Sequence, residues 1–309
     1  MKILGIGNAI VDVICKVDED FLIRNNLTKG LMKLIFDEGD FSNLLSDLKI
    51  EKTISGGSVA NSVVGLSQLG DKVGFIGKIS DDTFGIKYEE GLKKENVNFL
   101  YKKKKELLPT GTCLILITPD SERTMCTFLG TAGKISKNDL NIEAIKKSDL
   151  IFLEGYLWDE GDPKEAFEEA INLAKKTAMS LSDKFCVDRH KPNFLNLVKN
   201  KLDIVFANEG EVMSLIDTNR FDEVISFGKQ IKKHLIITRG EKGAVSIYNN
   251  KIEEIDAKKN LKVVDLTGAG DLFASGYLHG FINNFSQKEC LTKATEMSSK
   301  IIQQIGARF

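Results

Sequence analysis

The chain has 309 residues, 42% of them hydrophobic and 28% charged, with a formal net charge of −1. That length suits one large α/β domain or two small ones, and the neutral balance argues against a dedicated nucleic-acid binder, which carries a basic excess. Five scattered cysteines (Cys15, Cys113, Cys126, Cys186 and Cys290) contain no CxxC pair, which argues against a disulfide framework or structural zinc and fits a reducing cytoplasm.

The opening stretch "MKILGIGNAIVDVICKVDED" reads as a strand over residues 2–6 that runs into Gly7 and Asn8. It meets charge too early for a signal peptide, and no apolar run is long enough to span a membrane. Asn8 and Asp12 fall just past that strand, at the edge where open α/β sheets place ligands. "GIGNAI" has Ile10 at the third glycine position, which argues against a dinucleotide fingerprint. Next comes "SGGSVANS", Ser55 to Ser62, ahead of an apolar helix expected over 61–69. Gly56 and Gly57 let a ligand approach the backbone, and Asn61 can donate and accept; a plain turn before a helix is the structural alternative.

Apolar runs at 73–76, 150–154, 204–207 and 235–238 read as buried strands. Helical periodicity predicts helices over 84–95, 164–176, 221–232 and 287–304. Strand alternating with helix implies a doubly wound α/β fold, a mostly parallel sheet covered on both faces. The rhythm breaks in "LLPTGTCLILITPDSERTMCTF", where β-branched runs are split by turn signals. With residues 13–36, the stretch 99–128 predicts a small β lid on a single domain spanning 1–309. The lysine run 102–105 reads as a solvated loop rather than a phosphate-tracking patch.

"FANEGE" sets Asn208 and Glu211 three residues apart on a starting helix, where they could hold hydrated magnesium or simply cap the helix. "IITRGEKGA" places Thr238, Gly240 and Gly243 after another strand, a phosphate site or merely a loop. In "DLTGAGDLFASGYLHGF", Gly268, Ala269, Gly270 and Asp271 stand where a helix starts, with Ala274, Tyr277, Leu278 and Phe281 on its apolar face. Such a terminus leaves amides unpaired and partly positive, and side chains this small let an anion reach them. A turn with Asp271 as N-cap is the alternative. No GxxxxGK[ST], HExxH or GxSxG is present, which excludes a Walker site and the commoner hydrolase chemistries.

Taken in order, Asp12, the GG…N cluster, "DDTFG" at Asp81 to Gly85, the NxxE, "TRG" and GAGD resemble the ribokinase (PfkB) family of carbohydrate and nucleoside kinases. The second residue of the family's D-T-x-G-A-G-D is here Leu266. Within the family, Gly7–Asn8, "PTGTC", "LSDKF", "DIVFANEGE" and "IIQQIGA" are most similar to adenosine kinases. The resemblance implies a doubly wound α/β domain with a β lid, ATP, Mg²⁺ and a ribose-bearing acceptor, most similar to adenosine. A free-sugar kinase of the same family, or a non-catalytic nucleotide binder, is the alternative. Asp271 becomes the base for the acceptor's primary hydroxyl, and the amides of Gly268, Ala269 and Gly270 stabilise the transferring phosphate. Arg123 in "SERTM" becomes the lid cation over the phosphates. Carry-over gives Asp12, Gly57 and Asn61, beside Gly56, to the sugar, Asn8 to sugar or base, and Tyr156 to an aromatic wall. Asn208 and Glu211 organise magnesium-bound water, while Thr238, Gly240 and Gly243 line the ATP side. The family also commonly places K⁺ near the residue equivalent to Asp265. Nucleic acid and membrane are excluded as partners, and the chain is expected as a cytoplasmic monomer or homodimer.

Overall fold

The apolar runs of the sequence become the centre of a nine-stranded sheet in a computed structural model that describes residues 1–120, 122–158 and 161–309. Ser121, inside the expected lid segment, lies outside the described residues. In chain order the strands are β1 (Ile3–Ile6), β2 (Ile10–Lys16), β3 (Met32–Leu34), β4 (Ile50–Ser55), β5 (Val73–Ile76), β6 (Asn98–Phe99) and β7 (Gly111–Ile117). There follow β8 (Arg123–Phe128), β9 (Leu150–Glu154), β10 (Thr177–Ser180), β11 (Ile204–Asn208), β12 (His234–Thr238), β13 (Ala244–Tyr248) and β14 (Lys251–Ile255). The large sheet runs β14-β13-β12-β11-β10-β9-β1-β5-β6. It is parallel from β6 to β12, and β13 and β14 complete it as an antiparallel edge.

Both faces are dry, so the strands alternate between two cores rather than between core and water. Ile3, Phe152, Ile204 and Ile236 face one core, shared with helices Ser58–Gln68, Ala269–Ile282 and Gln287–Ile301. Their neighbours Leu4, Ile151, Val205 and Leu235 face the other, shared with helices Asp162–Leu173, Lys184–Asn200, Glu209–Leu215 and Phe221–Ile231. The doubly wound fold is therefore the observed one. The helix expected over 164–176 lies two residues earlier at its start, because Gly161 (φ 88°) turns the chain and Pro163 suits a first helical turn.

The five remaining strands form a second sheet, ordered β3-β8-β7-β2-β4. It departs from the expected lid in two ways. Strand β4 belongs to it, whereas residues 99–110 do not: Phe99 pairs with Phe75 on the large sheet. A carboxylate anchors the small sheet to the body. Asp82 caps helix Thr83–Lys94 through the Gly85 amide (2.7 Å) and also accepts from the Thr110 amide and hydroxyl, both at 2.8 Å. Thus "DDTFG" and "PTGTC" meet, and β7 starts from that joint. The lysine run is irregular chain, with Lys103 paired to Glu89 at 3.0 Å. Among the described residues no helix is long and apolar enough to cross a membrane, and all five cysteines are buried.

Candidate active site

Helix Ala269–Ile282 starts from Gly268, whose φ of 78° is left-handed. A Cβ there would sit 2.6 Å from the Ala307 methyl, so both the turn and its neighbour call for glycine. Asp271 does not cap this helix. Its carboxylate turns across to helix Ser58–Gln68, accepting from the Ser58 hydroxyl (2.6 Å) and the Asn61 amide (2.9 Å). Ser62 and Ser275 lace the same two helices: the Ser62 hydroxyl donates to the Asp271 carbonyl and the Ser275 hydroxyl to the Ser62 carbonyl. Two glycine-rich motifs far apart in sequence thereby share one carboxylate. Desolvation pushes Asp271 up to about 6, against the pull of Ser58, Asn61 and the Arg308 charge. Of the three expected amides, that of Ala269 donates back to Leu266, while those of Gly268 and Gly270, and of Asp271 beside them, have no protein acceptor among the described residues. Gly270 is exposed and nothing lies within 4 Å of where its Cβ would be, which leaves an anion room.

Asp12 projects from β2 toward the same place. A Cβ on Gly56 would meet its carboxylate at 2.4 Å, and one on Gly57 (φ 95°) would meet the Asn8 carbonyl at 2.3 Å. No protein donor bonds the Asp12 carboxylate among the described residues. Desolvation raises it to about 7, opposed by Arg308 and assisted by the Asp271 charge. Asn8 is buried, and its amide donates inward to Glu154 at 3.1 Å, leaving only Oδ1 without a partner. The other Glu154 oxygen takes the Val59 amide, and burial lifts Glu154 to about 7. Glu154 escaped the sequence reading because it looks like the last residue of an apolar strand. Tyr156 instead turns to the Ser182–Asp183 loop, its hydroxyl 2.9 Å from Asp183, and packs against the second core.

From the small sheet, Arg123 reaches Asp265 at 2.6 Å and bridges sheet and body ahead of the GAGD turn. Asp265 also accepts from Thr267 and from the Gly306 amide (2.8 Å). Both of its oxygens are therefore engaged in hydrogen bonds. Arg308, absent from the sequence reading, enters from the far side and donates Nε to Asn61 Oδ1 at 3.0 Å. One arginine at the end of a helical stretch carries no motif that could have announced it.

At the tip of β11, Asn208 and Glu211 form a reciprocal capping box, each side chain accepting the other's amide. Glu211 is buried and raised to about 7 by desolvation. Both of its oxygens accept from Asn208, from the backbone amide and from the side-chain amide. No cluster of three metal-ligating side chains occurs among the described residues. Thr238, Gly240 and Gly243 lie at the end of neighbouring β12, where Arg239 bonds Glu209 at 2.9 Å and stacks 3.5 Å over Phe221.

An open helix terminus beside a desolvated carboxylate, at the edge of a doubly wound sheet, is the setting of a phosphotransferase that acts on an alcohol group. The model of the pfkB family carbohydrate kinases matches residues 31–309, and the chain belongs to that family. ATP use is expected of its members. Over 100% of this chain and 95% of the other, the structure superposes with a TM-score of 0.90 on an adenosine kinase from Sinorhizobium meliloti, at 35% identity. A probable sugar kinase from Rhizobium etli matches at 35% identity and a TM-score of 0.89, covering 99% and 94% of the two chains. A 5-dehydro-2-deoxygluconokinase from Clostridium botulinum is 27% identical over 296 residues, 88% of this chain and 85% of that one.

Proposed function

We propose that the chain transfers the γ-phosphate of ATP to the primary hydroxyl of a ribose-bearing acceptor, and that this acceptor is adenosine. The observation that carries the reading is Asp12, a desolvated carboxylate with no protein donor, facing the same space as Asp271. Paired oxygens of this kind suit two vicinal hydroxyls, which leaves the primary hydroxyl to Asp271. Two carboxylates against the single Arg308 guanidinium make a poor field for an acidic sugar, which favours a neutral acceptor. The match to an adenosine kinase over the whole chain accords with a nucleoside, at the same 35% identity as the match to a probable sugar kinase.

In this reading Asp271, ionised above about 6, takes the hydroxyl proton as the oxygen attacks the γ-phosphorus. The free Gly270 and Asp271 amides receive the charge on the phosphoryl oxygens. Arg123 leaves Asp265 for the phosphates when the small sheet closes over ATP. Asn208 and Glu211 hold a water of the Mg²⁺ that accompanies ATP, and bound Mg²⁺ supplies neutralisation of phosphate charge. Thr238, Gly240 and Gly243 border the nucleotide. The test is initial-rate kinetics at saturating ATP with adenosine, inosine, ribose and fructose. Adenosine is expected to show the highest kcat/KM. A free sugar ahead of it would make the chain a sugar kinase of the same fold.

A further inference from the structure

The segment that follows helix Gln287–Ile301 is sewn to the catalytic turn. The Val264 and Asp265 amides both donate to the Ile302 carbonyl, at 2.8 and 3.2 Å, and the Gly306 amide donates to Asp265. Ala307 sits against Gly268. These anchors deliver Arg308 between three elements: Asn61 on one helix, Asp12 on β2 and Asp271 on the other helix. Its Nη2 is buried without a protein acceptor.

The Arg308–Asn61 bond decides the chemistry of the Asn61 amide. An amide can present either its oxygen or its nitrogen to a neighbour. With Arg308 Nε donating to Oδ1, only Nδ2 remains for Asp271, so Asn61 stabilises the carboxylate rather than the protonated acid. We propose that Arg308 is a positioning residue of phosphoryl transfer: through Asn61 and by its own charge it keeps Asp271 ionised and oriented to accept the acceptor's proton. The groups that face it are Asp12, Asp271, Glu95 and Tyr88, and Glu154 feels Asp271 from β9. Among these Arg308 is the one cation, and its charge draws Asp271 down, so removing it leaves desolvation less opposed and lets Asp271 rise.

The inference rests on Asp271 as the base, and the two can fail separately. Asp271→Asn with near-parent turnover would remove the base assignment itself. If that variant is inactive, Arg308→Gln and Arg308→Lys address Arg308, with Arg308→Met as a second neutral variant should Gln melt early. Each is measured as kcat/KM against pH with whichever acceptor is turned over. The ¹³C-carboxyl titration of the acceptor-free enzyme runs alongside, with the Asp271 resonance assigned by its loss in Asp271→Asn. The neutral variants are expected to lose roughly ten- to hundredfold in kcat/KM, the scale of one charged hydrogen bond. Their acidic limb and the Asp271 titration are expected to rise together by about one pH unit. Lys keeps the charge, so both midpoints stay near the parent's while part of the rate is lost with the Asn61 bond. A neutral variant whose acidic limb and titration do not move overturns the proposal, whatever its melting temperature. So does a Lys variant shifted as far as Gln.

Discussion

Asp271 and Asp12 are the same residue type beside the same Arg308 guanidinium, yet their bonding differs, and with it the tasks we propose for them. Asp271 is gripped by Ser58 and Asn61 and so held to one orientation, as a base must be. Asp12 has no protein donor among the described residues, which suits the hydroxyl-binding role proposed for it. Replacing Asp271 with Asn removes the proton acceptor and keeps the shape. The expected result is a folded protein, with a melting temperature near the parent's, whose kcat falls by roughly 10²–10⁴-fold. ATP affinity, measured by calorimetry, is expected to survive. The glycine turn that carries Asp271 was legible because small residues at a helix mouth carry a physical meaning of their own, whereas the base role proposed for Asp271 came from the family resemblance. The approach of Arg308 to Asn61 was not legible, since it arises only in the tertiary fold. Tyr156 shows the converse: an aromatic after a strand invites a wall, but its bond to Asp183 holds it elsewhere.

Among the elements, the strands easiest to read were those buried on both faces. Residues 73–76 and 150–154 are β5 and β9 to the residue, because continuous apolar runs leave no other place for them. Strand β10 has the polar ends Thr177 and Ser180, so it stood out less. Helix Lys184–Asn200 was missed because Pro192 interrupts its pattern, and His190 is indeed non-helical there (φ −115°). The family motifs "DDTFG" and "PTGTC" turn out to be one joint, built on Asp82. Asp82→Ala removes a helix cap, leaves the buried Thr110 amide without its acceptor and leaves the Thr110 hydroxyl only the Ser80 carbonyl at 3.4 Å. The expected destabilisation is about 2–4 kcal/mol in urea denaturation. Asp81→Ala, next door, loses only a 4.0 Å contact with Lys103 and is expected to cost under about 0.5 kcal/mol. Equal effects at the two positions would show that the joint does not hold the small sheet.

Across the whole molecule, four desolvated carboxyl groups surround the sheet's functional edge: Asp12, Glu154 and Glu211 at about 7, and Asp271 at about 6. Burial is the leading cause in each. All four are raised above their ordinary values, so between those values and their folded pKa the native state holds more protons than the unfolded chain. Stability therefore falls as pH rises through that window. The stabilisation is fully present below about pH 4 and lost by about pH 7. His234 works in the opposite sense: desolvation lowers it to about 4, so its contribution grows as pH rises toward its ordinary value. Carboxylates lowered by partners, such as Glu209 beside Arg239, oppose this slope only at the acid end of the window, where their unfolded forms still titrate. With four groups against one, the ligand-free protein is expected to melt at a higher temperature near pH 5 than near pH 8, at constant ionic strength. Glu154→Gln keeps an acceptor for the Val59 amide and removes one titrating group, so its melting temperature should fall less steeply across the same range. A parent curve that climbs steadily from pH 5 to pH 8 would mean that these carboxyl groups are hydrated in solution. Asp271 would then need another reason to act as a base near neutrality.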